Sequence, residues 1–329
     1  MFGVSQSFNR QRSHRRQTSH QLPLGFVLPR APWLPPQPFP ADRTPLGGLV
    51  ATATSIGGKQ VQQDACAHLD LPGCKVVAVA DGISSSPDAH LAAQTAVQIA
   101  LQALTLYWQA GYPITPSILK QAFFEAQAII RLQVQARRLT HAPPATTLIV
   151  AVELVDRFLV AYVGDGAAVL ATGNLKLGLM NILYPHMRTG GAITCYLGSN
   201  QGWVEPACLE FPKCWPEGGI LLVGTDGALP LGQLLKMARP ILEQVQRHVM
   251  DSLSSGGRVD PHPVLESWVT RHLTTDDNRT LGLIVSEEAL NYWRTLAAQK
   301  SGGHRNATEP QGCAAAATQP DGTTQRPPR

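Results

Sequence analysis

Apolar residues in this chain follow two rhythms. Short unbroken runs, such as Val76-Val77-Ala78-Val79-Ala80 and Ile220-Leu221-Leu222-Val223, read as strands. Longer segments repeat every three or four residues. Ala89, Ala93, Ala96, Val97, Ala100, Leu101 and Leu104 share one helical face. Leu119, Ala122, Phe123, Ala126, Ile129 and Ile130 share the face of a second helix. Ser86-Pro87 and Thr115-Pro116 are expected to open these helices, with Ser or Thr as N-cap and Pro in the first turn. The same rhythms predict strands over 49–56, 75–80, 146–153, 157–164, 167–172, 192–198, 205–211, 219–225 and 280–285. They predict helices over 231–253 (interrupted by Pro240), 262–272 and 287–298. A block of strands between helix pairs, without alternating βαβ units, points to sheet layers with helices outside and away from a doubly wound parallel sheet.

Composition divides the chain. Residues 1–47 hold six arginines and one acid, Asp42, and are rich in Ser, Gln and Pro. They read as a disordered basic arm, with an organelle transit peptide as the competing reading. Residues 299–329, rich in Gly, Ala, Thr and Pro, read as a disordered tail. Between them, 48–298 carries 17 Lys/Arg against 20 Asp/Glu, so the positive net charge belongs to the arm and not to a nucleic-acid surface. Six cysteines without a CxxC pair or a secretory leader suggest reduced thiols in a cytoplasmic protein. Cys66 and His68 complete no zinc site, and no apolar run reaches the ~18 residues of a membrane span.

The candidate chemistry lies at strand ends. Predicted strands run into Asp81-Gly82, Gly164-Asp165-Gly166 and Thr225-Asp226-Gly227, and Asp276-Asp277-Asn278 precedes Leu281–Val285. Asp-Gly is also an ordinary turn dipeptide, as Asp321-Gly322 in the tail illustrates. Several carboxylates placed at sheet lips, however, suit a hard divalent cation and suggest a metal-dependent hydrolase. An all-oxygen set favours Mn2+ or Mg2+ over zinc.

In order along the chain stand Gln63-Asp64, Val79-Ala80-Asp81-Gly82, Thr146-Thr147-Leu148, Val163-Gly164-Asp165, Thr225-Asp226-Gly227 and Asp277-Asn278. Gly191-Ala192-Ile193-Thr194 with Leu197-Gly198 falls between the fourth and fifth. From Gly57 to Val285 this ordered set resembles the metal-dependent serine/threonine protein phosphatases of type 2C (the PPM family), bacterial-type branch. The resemblance implies an α+β fold, a four-layer αββα sandwich of two antiparallel β-sheets flanked by helix pairs. It implies hydrolysis of phosphoserine and phosphothreonine in proteins by a water bridging two Mn2+ or Mg2+ ions. Asp81 would bridge the ions, Gly82 would add its carbonyl, and Asp226 and Asp277 would complete one ion's ligands. Asp165 would help hold a third, weaker ion, and Asp64 would hold water on the metals. Asp276 is the less fitting member of its pair, because the family's ligand directly precedes Asn. The implied partners are phosphorylated proteins, a serine/threonine kinase or its targets among them.

Several positions depart from the family. Lys59 stands where an arginine usually clamps the phosphate, and it offers charge without the bidentate fork. Ile83 replaces a histidine seen in some relatives, Gly166-Ala167 replaces Ser-Arg, and Pro230 replaces an acid. Ser84-Ser85-Ser86 replaces glycines and reads as loop and N-cap, or as a phosphorylated control site. These losses keep open an inactive pseudophosphatase serving as a binding or regulatory module. A dinucleotide loop at Gly164-Asp165-Gly166 lacks a third glycine and a following helix. A third alternative makes the basic arm the working element. The loop that shapes substrate choice is expected between Leu175 and Thr189.

Overall fold

The computed structural model describes residues 46–86, 88–138, 143–183, 195–198, 205–273 and 275–303. Among the described residues ten strands form two antiparallel sheets. The first has the order β1-β10-β9-β6-β7, from Leu49–Ser55, Arg279–Val285, Gly219–Gly224, Ala167–Thr172 and Leu179–Asn181. The second has the order β2-β3-β4-β5-β8, from Ala65–Leu71, Cys74–Ala80, Leu148–Glu153, Arg157–Val163 and Ala207–Pro212. α1 (Ala89–Gln109) and α2 (Pro116–Ala136) pair with each other and lie on the second sheet. α3 (Leu234–Ser254), α4 (His262–Ser267) and α5 (Glu287–Gly303) cover the first. This is the four-layer α+β sandwich that the resemblance implied.

Each layer follows from the pattern. The central strands β3, β4, β6, β9 and β10 are buried along their whole length, and β5 from Phe158 onward, in keeping with their apolar runs. Val77, Val79, Ile149, Phe158 and Val160 of one sheet meet Leu170, Leu221, Val223 and Ile284 of the other. Leu222, Leu281 and Leu283 face outward to Ile241, Val245, Leu265 and Trp293 under the helices. Each fully buried Leu or Phe contributes about 1.5–3 kcal/mol relative to exposure.

The boundaries differ from expectation in places. α2 opens as predicted, with the Thr115 hydroxyl accepting from the Ile118 N–H at 3.3 Å. α1 opens later, at Ala89, after Asp88 in a left-handed conformation, and Ser86 instead donates to the Pro143 carbonyl at 2.5 Å. Pro240 does not break α3, and the helix runs through it. β2 and β7 were not expected. Both lie at sheet edges, where half-exposed residues replace the apolar run. Residues 195–198 form only an isolated bridge from Leu197 to Thr146, and 192–194 lie outside the described residues. The flanking segments 1–45 and 304–329 also lie outside them, and α5 continues to Gly303.

One end of the sandwich holds a buried ionic group. Lys75 and Glu153 face each other where β3 starts and β4 ends. The Lys213 Nζ lies 2.9 Å from Glu153 Oε1 and 3.0 Å from Glu288 Oε2, and 5.8 Å over the Phe158 ring. Glu153 is 0% exposed and Lys213 5%. Burial pushes Glu153 up to about 7 despite the ammonium beside it, while Glu153 and Glu288 hold Lys213 charged against its own desolvation. The group ties the second sheet to the start of α5. Lys213→Met is expected to cost about 3 kcal/mol in urea unfolding, because it strands a buried carboxylate. Glu153→Gln added to Lys213→Met should recover part of that loss. Simple additivity of the two changes would show that the pair does not act as a unit.

Candidate active site

The opposite end gathers the strand-end carboxylates. β3 delivers Asp81, β5 Asp165 and β9 Asp226, while Asp277 stands just before β10 begins. The antiparallel registers put these ends at one lip, since Leu148 pairs with Val163, Gly224 with Leu281, and Ser55 with Arg279. The loop from β1 to β2 crosses the same lip and carries Lys59 and Asp64.

Hydrogen bonds fix these parts. The Asn278 Oδ1 accepts from the Gln63 N–H at 2.8 Å, and its Nδ2 donates to the carbonyls of Ile56 at 2.8 Å and Val61 at 3.3 Å. One carboxamide thereby staples the β1–β2 loop to the start of β10. Asp81 is held through its backbone. Its N–H donates to Thr147 Oγ1 at 2.9 Å, and its carbonyl accepts from Thr146 Oγ1 and from the Thr147 N–H, both at 2.8 Å. The Asp81 side chain is thus left to the cluster. A Cβ on Gly82 would stand 2.7 Å from the Ala89 carbonyl oxygen and 2.8 Å from that of Gln63, so only glycine fits. Among the described residues no backbone N–H donates to the Gly82 carbonyl. Thr225 Oγ1 donates to Asp64 Oδ2 at 2.8 Å and accepts from the Thr280 N–H at 3.2 Å.

The electrostatics are those of crowded acids. Asp64 is 4% exposed, and burial pushes it up to about 6 against the hydrogen bonds that favour its charge. Its Oδ1 has no donor, and the neighbouring Asp81 carboxyl can serve as one only when protonated. Asp81 is raised well above the usual carboxylate range by burial, then by the charges of Asp64 and Asp226, with Asp277 adding to them. Asp226 is raised by burial and by Asp277. Asp165, 7% exposed, is pushed up to about 6 by burial and by Asp226. The cation that meets the cluster is Lys59, whose Nζ lies 3.2 Å from Asp277 Oδ1. One ammonium does not balance five carboxylates. Among the described residues no three His, Cys, Asp or Glu side chains stand in closed ligating geometry. An ion that keeps several of its waters needs only one or two carboxylates, so the oxygen set, the orphaned Asp64 Oδ1 and the open Gly82 carbonyl fit Mg2+ or Mn2+.

Lys59, Asp64, Asp81, Gly82, Asp226 and Asp277 therefore meet at one place, and Asp165 joins through Asp226. Asp276 is exposed and stays out of the cluster. Cys66 and His68 stay out too. Cys66 is half-buried and His68 Nδ1 pairs with Thr52 Oγ1 at 3.1 Å. Thr146, Thr147, Thr225 and Asn278 stood in the sequence motifs without a role, and here they hold the acids in place. Thr280 was not singled out at all. The signal for these residues was a polar side chain at the end of an otherwise apolar strand. Of the segment 175–189, residues 179–181 form β7, and 184–189 lie outside the described residues.

A sandwich with a carboxylate cluster at one end defines a class, and the comparisons agree with it. The family model described as protein phosphatase 2C matches residues 53–257, and the chain belongs to that family. No protein of curated function matches the chain in sequence. Among solved structures, the fold is similar to a C. elegans sex determining protein, with 12% identity, a TM-score of 0.57, and coverage of 75% of this chain and 67% of that one. It is similar to the S. agalactiae serine/threonine phosphatase, with 18% identity, a TM-score of 0.52, and coverage of 72% and 98%. It is also similar to the catalytic domain of the serine/threonine protein phosphatase PstP in complex with two manganese ions, with 17% identity, a TM-score of 0.52, and coverage of 73% and 97%.

The raised acids predict a pH dependence. Asp64 and Asp165 rise from 3.8 to about 6, so between those values the folded chain binds more protons than the unfolded one. In EDTA, stability is expected to fall as pH rises from about 4 through 6, because repulsion grows as the protons leave. Urea midpoints at pH 4.5, 5.5 and 6.5 check this. Asp64→Asn should flatten the slope, and a slope left unchanged would count against Asp64 as a source.

Proposed function

We propose that this chain hydrolyses phosphoserine and phosphothreonine in proteins, using two Mn2+ or Mg2+ ions at the carboxylate lip. The observation that carries the reading is the convergence of Asp81, Asp226 and Asp277 beside a buried Asp64. Membership of the phosphatase 2C family supports it. A structural neighbour with two manganese ions supports the choice of metal.

Asp81 would hold the ions: hydrogen bonds fix its backbone N–H and carbonyl, and its carboxyl lies within the field of Asp64, Asp226 and Asp277. Gly82 would offer its carbonyl to an ion, and Asp226 and Asp277 would hold one. Asp165, in the field of Asp226, would help hold a third, weaker ion. Asp64, oriented by the Thr225 hydroxyl, would hold water and accept a proton from it. When bound, the ions neutralise phosphoryl oxygens and lower the pKa of water towards neutrality. Lys59 supplies the positive charge that meets the substrate phosphate. Its pair with Asp277 is 35% and 47% exposed, so it is worth about 0–1 kcal/mol and can be exchanged for a phosphate oxygen. Ile83 offers no proton, so the leaving hydroxyl takes one from water. The substrates are phosphorylated proteins, with a serine/threonine kinase or its targets the natural opposite, and the setting proposed is the cytoplasm. Among the described residues no helix is long and apolar enough to cross a membrane.

The full chain should turn over a phosphothreonine peptide with Mn2+ or Mg2+ and not in EDTA. Asp226→Asn should lower kcat/KM by on the order of 100-fold. No turnover by a folded, metal-binding wild type would move the reading to a pseudophosphatase acting as a binding module. Lys59→Arg should lower KM several-fold with little change in kcat, since the guanidinium adds a second hydrogen bond to phosphate. A KM that does not fall would remove Lys59 from the phosphate site.

A further inference from the structure

A groove of about 680 Å3 runs between α3 and α5 on the outer face of the first sheet, bounded by residues 174–176. β6 begins beside Asp165 and ends at Thr172, so this turn belongs to the end of the strand away from the carboxylates. The floor is apolar, with Met250 buried and Tyr292 and Leu296 half-buried. The rim is basic, with Lys176, Arg247 and Lys300 exposed around it. Among the described residues none of these three cations has a carboxylate within 4.0 Å. A fourth, Arg239, is already engaged with Glu243 at 3.8 Å and the Leu175 carbonyl at 3.3 Å.

This concentration of cations runs against the sign of the domain, whose residues 48–303 hold 18 Lys/Arg against 20 Asp/Glu. The chain's own ends do not complement it. Residues 1–47 hold six arginines and one acid, and 304–329 hold three arginines and two acids. A membrane surface would need the cations on a flat or convex face, whereas here they surround a cleft with an apolar floor. A peptide that alternates carboxylates with an aliphatic side chain satisfies both parts at once.

We infer that the α3–α5 groove docks an acidic segment of a partner protein, with one apolar side chain on Met250, Tyr292 and Leu296 and carboxylates at Lys176, Arg247 and Lys300. Docking here is remote from the carboxylate lip and does not depend on turnover, so it can be read without metal.

The test is fluorescence anisotropy of a labelled peptide of repeated Glu-Glu-Leu against the full chain in EDTA. Binding is expected to weaken at least about tenfold in the triple variant Lys176→Glu/Arg247→Glu/Lys300→Glu, and to weaken with added salt. Leu296→Ser, which keeps the rim, should weaken it about fivefold. On the wild type alone, the peptide with Gln in place of Glu should bind at least about tenfold more weakly. Equal affinity for the Glu and Gln peptides would overturn the proposal, as would equal affinity of the wild type and the triple variant. So would wild-type cosedimentation with phosphatidylglycerol vesicles without peptide binding.

Discussion

Burial on both faces of both sheets is the constraint from which the rest of the molecule follows. Six strands are buried except for Arg157 at the start of β5, so none of them has room for a charge at its middle. Ionisable side chains are driven to the strand ends, and the antiparallel registers collect those ends into two poles. One pole pairs its charges, with Lys213 between Glu153 and Glu288. The other gathers acids with Lys59 as its cation. The first pole meets its carboxylates with an ammonium from within the chain, although the buried Glu153 Oε2 keeps no partner among the described residues. The second leaves a surplus of negative charge that calls for something from outside.

That surplus is held in place by neutral groups. Thr146 and Thr147 grip the backbone of Asp81, Thr225 grips Asp64, and Asn278 joins the β1–β2 loop to β10. Each is a small polar side chain that spends its hydrogen bonds on backbone or on one carboxylate oxygen. The repulsion among the acids is therefore not relaxed by movement of the lip. It is absorbed as protons on acids of raised pKa, or by a cation, and these two outcomes compete.

Much of this was legible in the chain itself. Unbroken apolar runs located the buried strands, and the ordered aspartates named the members of the cluster. Edge strands were harder. β2 alternates Cys66, His68 and Asp70 with apolar residues, and only its pairing with β3 makes it a strand. β7 has three residues and no periodicity to read. The start of α1 was misplaced because Ser-Pro is a local signal, whereas Ser86 is claimed by the distant Pro143 carbonyl. The pairing of Lys59 with Asp277 joins residues far apart in sequence, and no local pattern encodes it. The same holds for the Lys213 group and for the basic rim between α3 and α5, whose members come from three separate elements.

The ladder between β1 and β10 has a consequence for how the protein is made. The first strand of the domain pairs along its full length with the last, Leu49 with Val285 through Ser55 with Arg279. During synthesis β1 waits for nearly the whole domain to leave the ribosome before it finds its neighbour, a long-range closure of the kind that slows folding. Lys59 and Asp64 emerge early and Asp277 and Asn278 late. A chain terminated before residue 277 carries most of the acids but has neither the staple nor the strand that brings them together. The assembled carboxylate lip is thus a property of the finished domain, and a prematurely ended copy lacks it even if its second sheet has formed.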